Sequence, residues 1–199
     1  MSIAKIFSAI LFIAAFSIGN AQAETSSLSS YYKYANTEAE YSVMLPEAPS
    51  VETIWADEGN VPYLDHPPRD GAIGEVANFK RMDMETEDSY TVKITFLQAD
   101  KDFLAGLDEE KMKSVLKNEY QGPPLTSPKF AFSAGTPPLK WATLTGFSVG
   151  KNNQALFHAA HYLTGQQSIM VIDITYNVEN KTFQDYYQAL IDNITYRKP

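Results

Sequence analysis

The sequence predicts an α+β domain: a mostly antiparallel sheet with a C-terminal three-stranded meander, covered by helices in an α/β/α sandwich. Three observations lead there. Residues 139–149, 154–163 and 167–176 are β-rich runs joined by Gly150-Lys151-Asn152-Asn153 and Thr164-Gly165-Gln166, connections in which Gly and Asn accept positive φ. Residues 108–120 and 179–194 switch to helical spacing. The connections between strands are short, which makes antiparallel pairing the default.

In chain order, Met1 to Ala23 reads as a cleavable signal peptide. Lys5 supplies the early positive charge, residues 6–18 are apolar and uncharged, and Ala21-Gln22-Ala23 is a small-x-small cleavage site. The apolar run is shorter than the ~20 residues a membrane span requires. Cleavage after Ala23 would leave Glu24 at the new N-terminus and no integral membrane segment, placing the protein in the periplasm or outside the cell. Residues 24–30 are polar and serine-rich, a disordered leader, and 31–199 are expected to form a single domain.

Within that domain, 31–35 and 40–45 are β-like around Asn36-Thr37, a hairpin. Residues 51–55 make a further short strand. A long irregular stretch, 56–74, carries Pro62, Pro67 and Pro68 and is the first place to look for a site, because loops of that length in compact domains are commonly functional. Residues 75–81 and 90–97 are strands around an acidic turn, 83–88. In the second, Tyr90, Val92, Ile94 and Phe96 alternate with Thr91, Lys93 and Thr95, so one face meets the core. A helical turn over Phe103, Leu104 and Leu107 precedes the helix at 108–120, which Asp108 caps and Gly122-Pro123-Pro124 stops. Residues 122–138 read as a second, proline-rich loop before the meander. The closing helix carries Phe183, Tyr186-Tyr187, Leu190-Ile191 and Ile194 on one stripe.

The opening Tyr41-Ser42-Val43-Met44-Leu45-Pro46, this element order and the closing helix resemble the PsbP-like α/β/α sandwich. The family is named for an extrinsic subunit of the photosynthetic oxygen-evolving complex. What the resemblance implies is an accessory or assembly role by analogy, and it carries over no functional residue.

Composition narrows the function. The chain has 16 basic and 24 acidic residues, a net charge of −8, and removing the signal peptide takes away only Lys5. That balance argues against nucleic acid, whose binders neutralise phosphates with Lys and Arg, and against docking on an anionic membrane. Zero cysteines exclude disulfides and thiol chemistry. Eleven Phe, twelve Tyr and two Trp supply the core instead.

Candidate chemistry is sparse, and no cofactor or metal is implied. Gly146-Phe147-Ser148-Val149-Gly150 matches the G-x-S-x-G nucleophile elbow, for which Asp173, Asp185 or Asp192 could supply the acid. No His follows His161, so the serine–acid–histidine order is incomplete. His158 and His161 would share a metal only on a helix. On a strand their parity sends them to opposite faces. The acidic residues at 83–88 lack the spacing of an EF-hand. The loop residues Tyr63, His66, Arg69 and Asp70 gather an aromatic, an imidazole, a guanidinium and a carboxylate, a set suited to binding or acid–base work. The aromatics at 31, 32, 34, 55 and 141 are better suited to the core or cross-strand pairs than to a binding surface. Together these readings favour a non-catalytic binding or assembly protein that uses its two long loops and a sheet edge to meet a protein partner. The alternatives are a serine-type or loop-histidine hydrolase and a small-ligand carrier.

Overall fold

A computed structural model describes residues 32–35, 40–45, 48–56, 61–64, 67–81, 89–120, 122–135, 139–150 and 153–196. The expected signal peptide, the polar leader, the Asn36-Thr37 turn, His66 and the acidic turn at 83–88 lie outside the described residues.

Seven strands make the main sheet: β3 (Ser50–Trp55), β4 (Ala72–Arg81), β5 (Tyr90–Gln98), β6 (Thr126–Ala134), β7 (Lys140–Val149), β8 (Ala155–Thr164) and β9 (Ser168–Asn177). Their order across the sheet is β3-β4-β5-β9-β8-β7-β6, antiparallel throughout. The expected three-stranded meander is β7-β8-β9, and the mostly antiparallel α+β architecture is as predicted. The stretch 122–138, expected to be a loop, instead contains β6. Pro128 is tolerated because β6 is an edge strand, and Phe130 and Phe132 alternate inward against the core. The prolines on either side disguised a strand whose period is the ordinary one.

The first hairpin does not join this sheet. β1 (Tyr32–Ala35) and β2 (Tyr41–Leu45) pair antiparallel, and β10 (Thr195–Tyr196), which the sequence did not reveal, adds to β2. This small sheet packs with helix α3 (Lys181–Asp192) on one face of the main sheet. Val43, Leu45, Phe183, Tyr186 and Leu190 meet Ile94, Ile172 and Ile174 there. Asn180 caps α3 by accepting the Phe183 N–H at 2.9 Å, so the helix begins at Lys181, two residues inside the expected start.

Helices α1 (Lys101–Gly106) and α2 (Glu109–Glu119) cover the other face. Asp108 caps α2 as expected, accepting from the Lys111 N–H at 2.9 Å, with Glu109 and Glu110 in the first turn where the helix dipole favours them. Lys140 ties α1 down, its Nζ donating to the Leu104 carbonyl at 2.8 Å and to that of Leu107. These helices rest on Leu97, Ala142, Tyr162, Ile169 and Val171. No helix among the described residues is long and apolar enough to cross a membrane.

A buried carboxylate joins the N-terminal segment to the meander. Glu40 accepts the backbone N–H groups of Gln166 and Gln167 at 2.9 and 3.1 Å and the Ser168 hydroxyl at 2.6 Å. Tyr196 of β10 donates to the same carboxylate at 3.4 Å. The turn is glycine at Gly165 because a Cβ there would stand 1.9 Å from Glu40 Oε2. Gly165→Ala should therefore expel Glu40 and leave two backbone donors unpaired, costing about 2–4 kcal/mol. Urea unfolding measures this. A loss under half a kcal/mol would show the clasp to be dispensable.

Candidate functional site

The site follows from how far the helices reach. A ten-residue strand such as β8 or β9 runs about 33 Å, whereas eleven-residue α2 is about 16 Å long. On the α2 face, residues in register form rows across β5, β9, β8 and β7. Thr95, Val171, Tyr162 and Ala142 make one row, which lies beneath the helices. Beyond it come Lys93, Asp173, Ala160 and Leu144, and then Thr91, Thr175, His158 and Gly146. Apart from Gly146, these last two rows floor a cavity of about 410 Å³, walled by Pro62 and Tyr63 and by Glu119 and Tyr120 at the end of α2.

Tyr63 is the sequence-predicted residue that enters this site. Its hydroxyl donates to Asp173 Oδ2 at 2.8 Å. Its ring packs edge-on against Tyr162, centroids 6.1 Å apart, and its carbonyl accepts from the Tyr162 hydroxyl at 3.3 Å. These contacts hold Tyr63 at φ 65°, a left-handed conformation uncommon for a bulky residue. Such outliers persist only where surroundings over-determine them, and they concentrate at functional sites. Burial, then the neighbouring Asp173 charge, pushes the Tyr63 hydroxyl pKa up. Burial also raises the Asp173 carboxyl above the ordinary range, and Glu119 adds to that. The Tyr63 hydrogen bond and the Lys93 charge, which work downward, do not cancel it. Arg69 and Asp70, by contrast, are exposed and do not line the cavity. The Arg69 Nη2 donates to the Ala72 carbonyl at 3.1 Å at the start of β4.

The G-x-S-x-G motif is not a nucleophile elbow. Residues 146–149 run on in extended β7, with no strand-to-helix turn. Gly146 instead makes room for Leu125, whose side chain would lie 2.9 Å from a Cβ placed there. Ser148 does meet a histidine, one that follows it but precedes the candidate acids: its Oγ lies 2.6 Å from His158 Nε2 across the β7–β8 pair. The other imidazole nitrogen of His158 is 2.9 Å from the Thr175 hydroxyl, not from a carboxylate. Ser148 and His158 are both buried, and burial lowers His158 to about 4. The imidazole is thus neutral at neutral pH.

His161 faces the opposite side of the sheet, as strand parity requires. Trp141 Nε1–H donates to its Nδ1 at 3.2 Å, so the proton resides on Nε2, which is 3.0 Å from the Tyr187 hydroxyl. Trp141 accordingly serves as a cross-strand partner.

No protein-family model matches the chain, and no curated protein matches it. Among solved structures, the fold is similar to the solution structure of cyanobacterial PsbP from Synechocystis sp. PCC 6803, with a TM-score of 0.52, 14% identity, and 90% of this chain and 98% of that chain covered. The fold is PsbP-like. A crystal structure of a Pseudomonas aeruginosa protein of unknown function matches at 10% identity over 85% of this chain and 99% of that chain, with a TM-score of 0.38, too low to argue from. At these identities the PsbP likeness extends to the fold and to no residue of the cavity.

The cavity residues Lys93, Glu119, Tyr120 and Asp173 were not singled out as binding groups by sequence reasoning. One signal was present: Asp173 is a lone charge in the apolar run Ile169-Met170-Val171-Ile172-Asp173-Ile174, and such a residue needs a partner once the strand is buried.

Burial holds His161 near 4, below its ordinary 6.5. A depressed histidine favours the fold only while neutral. Stability should therefore be full above about pH 6.5 and fall as the pH drops toward 4, by on the order of 3 kcal/mol from this residue. Asp173, whose carboxyl is raised, works in the opposite direction. Denaturation from pH 7 to 4 should thus be compared with His161→Gln. An equally steep decline in both would assign the acid sensitivity elsewhere.

Proposed function

We propose that this is an exported, non-catalytic accessory protein that works by binding a protein partner, with the cavity at the uncovered end of the sheet as its principal contact. The observation that carries this reading is the Tyr63–Asp173 pair. A strained tyrosine and a desolvated carboxyl are held in place at the wall of an open, partly apolar cavity, a combination typical of binding sites. The PsbP-like fold supports an accessory role by analogy. The buried Ser148–His158 pair, whose third partner is a hydroxyl, favours binding over hydrolysis. Arg69 and Asp70, exposed further along the loop that carries Tyr63, are proposed as additional partner contacts.

The test is purification of the tagged protein from its host's extracytoplasmic fraction, followed by native mass spectrometry. A mass beginning at Glu24, with a second protein in stoichiometric amount, is expected. Glu119→Lys should release that protein while keeping α2 intact, since a cation suits a helix C-terminus. Arg69→Ala should weaken the complex several-fold. A partner indifferent to both variants would remove the cavity and loop as the contact, and a bare protein would remove the partner.

A further inference from the structure

Resting on that reading of the cavity, we infer that the group it receives is a primary ammonium on an apolar stem, supplied by a lysine side chain of the protein partner. The cavity's charge is unbalanced toward anions. Asp173 projects from β9, and Glu119 stands at the end of α2. Among the described residues that line the cavity, Lys93 is the one cation, and it lies directly across from Asp173 in the β5–β9 register. Among the described residues Lys93 makes no ion pair with either carboxylate. Asp173 gives one oxygen to the Tyr63 hydroxyl, which leaves Oδ1 for a donor from the cavity. Burial raises this carboxyl, and the Tyr63 bond and the Lys93 charge only partly offset that.

The remaining walls suit the stem. Leu125, Leu144 and Leu156 offer aliphatic surface, and Tyr63 and Tyr120 present aromatic rings, which attract ammonium groups over their faces. Tyr120 is held in the wall by its bond to the Pro123 carbonyl at 2.9 Å and by an edge contact with His158. A lysine side chain combines these features, with four methylenes to lie on apolar surface and a terminal charge. An anion would face two carboxylates, and a neutral alkyl group would leave Asp173 uncompensated.

The experiment is an NMR titration of the purified protein with n-butylammonium chloride, n-butanol and sodium butyrate, followed by N-acetyl-lysine-N-methylamide and cadaverine. Butylammonium should give saturable shifts at Glu119, Tyr120 and Asp173 and bind at least tenfold more tightly than butanol, with butyrate silent. Glu119→Gln should weaken it by about tenfold, the equivalent of one charge-assisted contact, and Lys93→Gln should tighten it, with thermal unfolding confirming that both variants are folded. Equal binding of butanol, or binding of butyrate, would overturn the ammonium while leaving the cavity as the contact. Loss of the co-purifying protein in Glu119→Lys with no amine binding would likewise overturn the ammonium alone. Cadaverine binding without the lysine amide would overturn the protein source. Lysine amide binding at least as tight as cadaverine would support it.

Discussion

The central strands β8 and β9 are buried on both faces over nearly their whole length, so the sheet needs a cover on each side. On one side α3 and the β1-β2-β10 sheet provide it, and the rows beneath are mostly apolar, with His161 bonded to Tyr187 of α3. On the other side, two helices of six and eleven residues must serve strands about twice as long. The composition of the rows follows the cover. Beneath the helices stand Thr95, Val171, Tyr162 and Ala142, none of them charged, and past their end Lys93, Asp173 and His158 appear among Thr91, Thr175, Ala160, Leu144 and Gly146. The cavity is what the shorter cover leaves open, and its floor mixes charged and polar groups with Leu144, Leu156 and Ala160.

That opening would be a shallow hydrated surface without the loop that carries Tyr63. Val61, Tyr63 and Leu64 turn inward and bury themselves in the same core as α1 and α2, which anchors the middle of a stretch otherwise rich in proline. The anchoring forces Tyr63 to positive φ, at a cost of about 1–3 kcal/mol. The bond to Asp173 and the packing on Tyr162 offset that cost. Removing the Tyr63 ring would consequently disturb both fold and site. Exposed Arg69, in contrast, can be altered without touching the core.

Much of the architecture was legible because its signals are local. The alternation of Tyr90, Val92, Ile94 and Phe96 reads directly as a strand with one apolar face, and Asp108 and Gly165 mark a helix start and a tight turn. Strand β8 was harder, since two-sided burial erases alternation and Ala155, Ala159 and Ala160 suit a helix equally well. Only the flanking hairpin residues decided it. Strand β6 was hidden by the prolines around it, and β10 by its two-residue length. The cavity was not legible as a site, because its members come from two helix-end residues, two loops and four strands brought together by register. Tyr63 was found for its loop, and Asp173 was considered only as the acid for Ser148.

The Ser148–His158 contact bears on what such a site can do. A general base works best with a pKa near the ambient pH, but burial holds this imidazole at about 4. Its two nitrogens are both taken by hydroxyls, from Ser148 and Thr175, on the neighbouring strands. Such an arrangement satisfies a buried polar ring and locks three strands in register, as buried hydrogen-bonded networks do. The histidine therefore stiffens the floor on which Asp173 is displayed. A rigid floor lowers the ordering cost of binding, and the register-locked imidazole holds the floor around Asp173 in a fixed geometry.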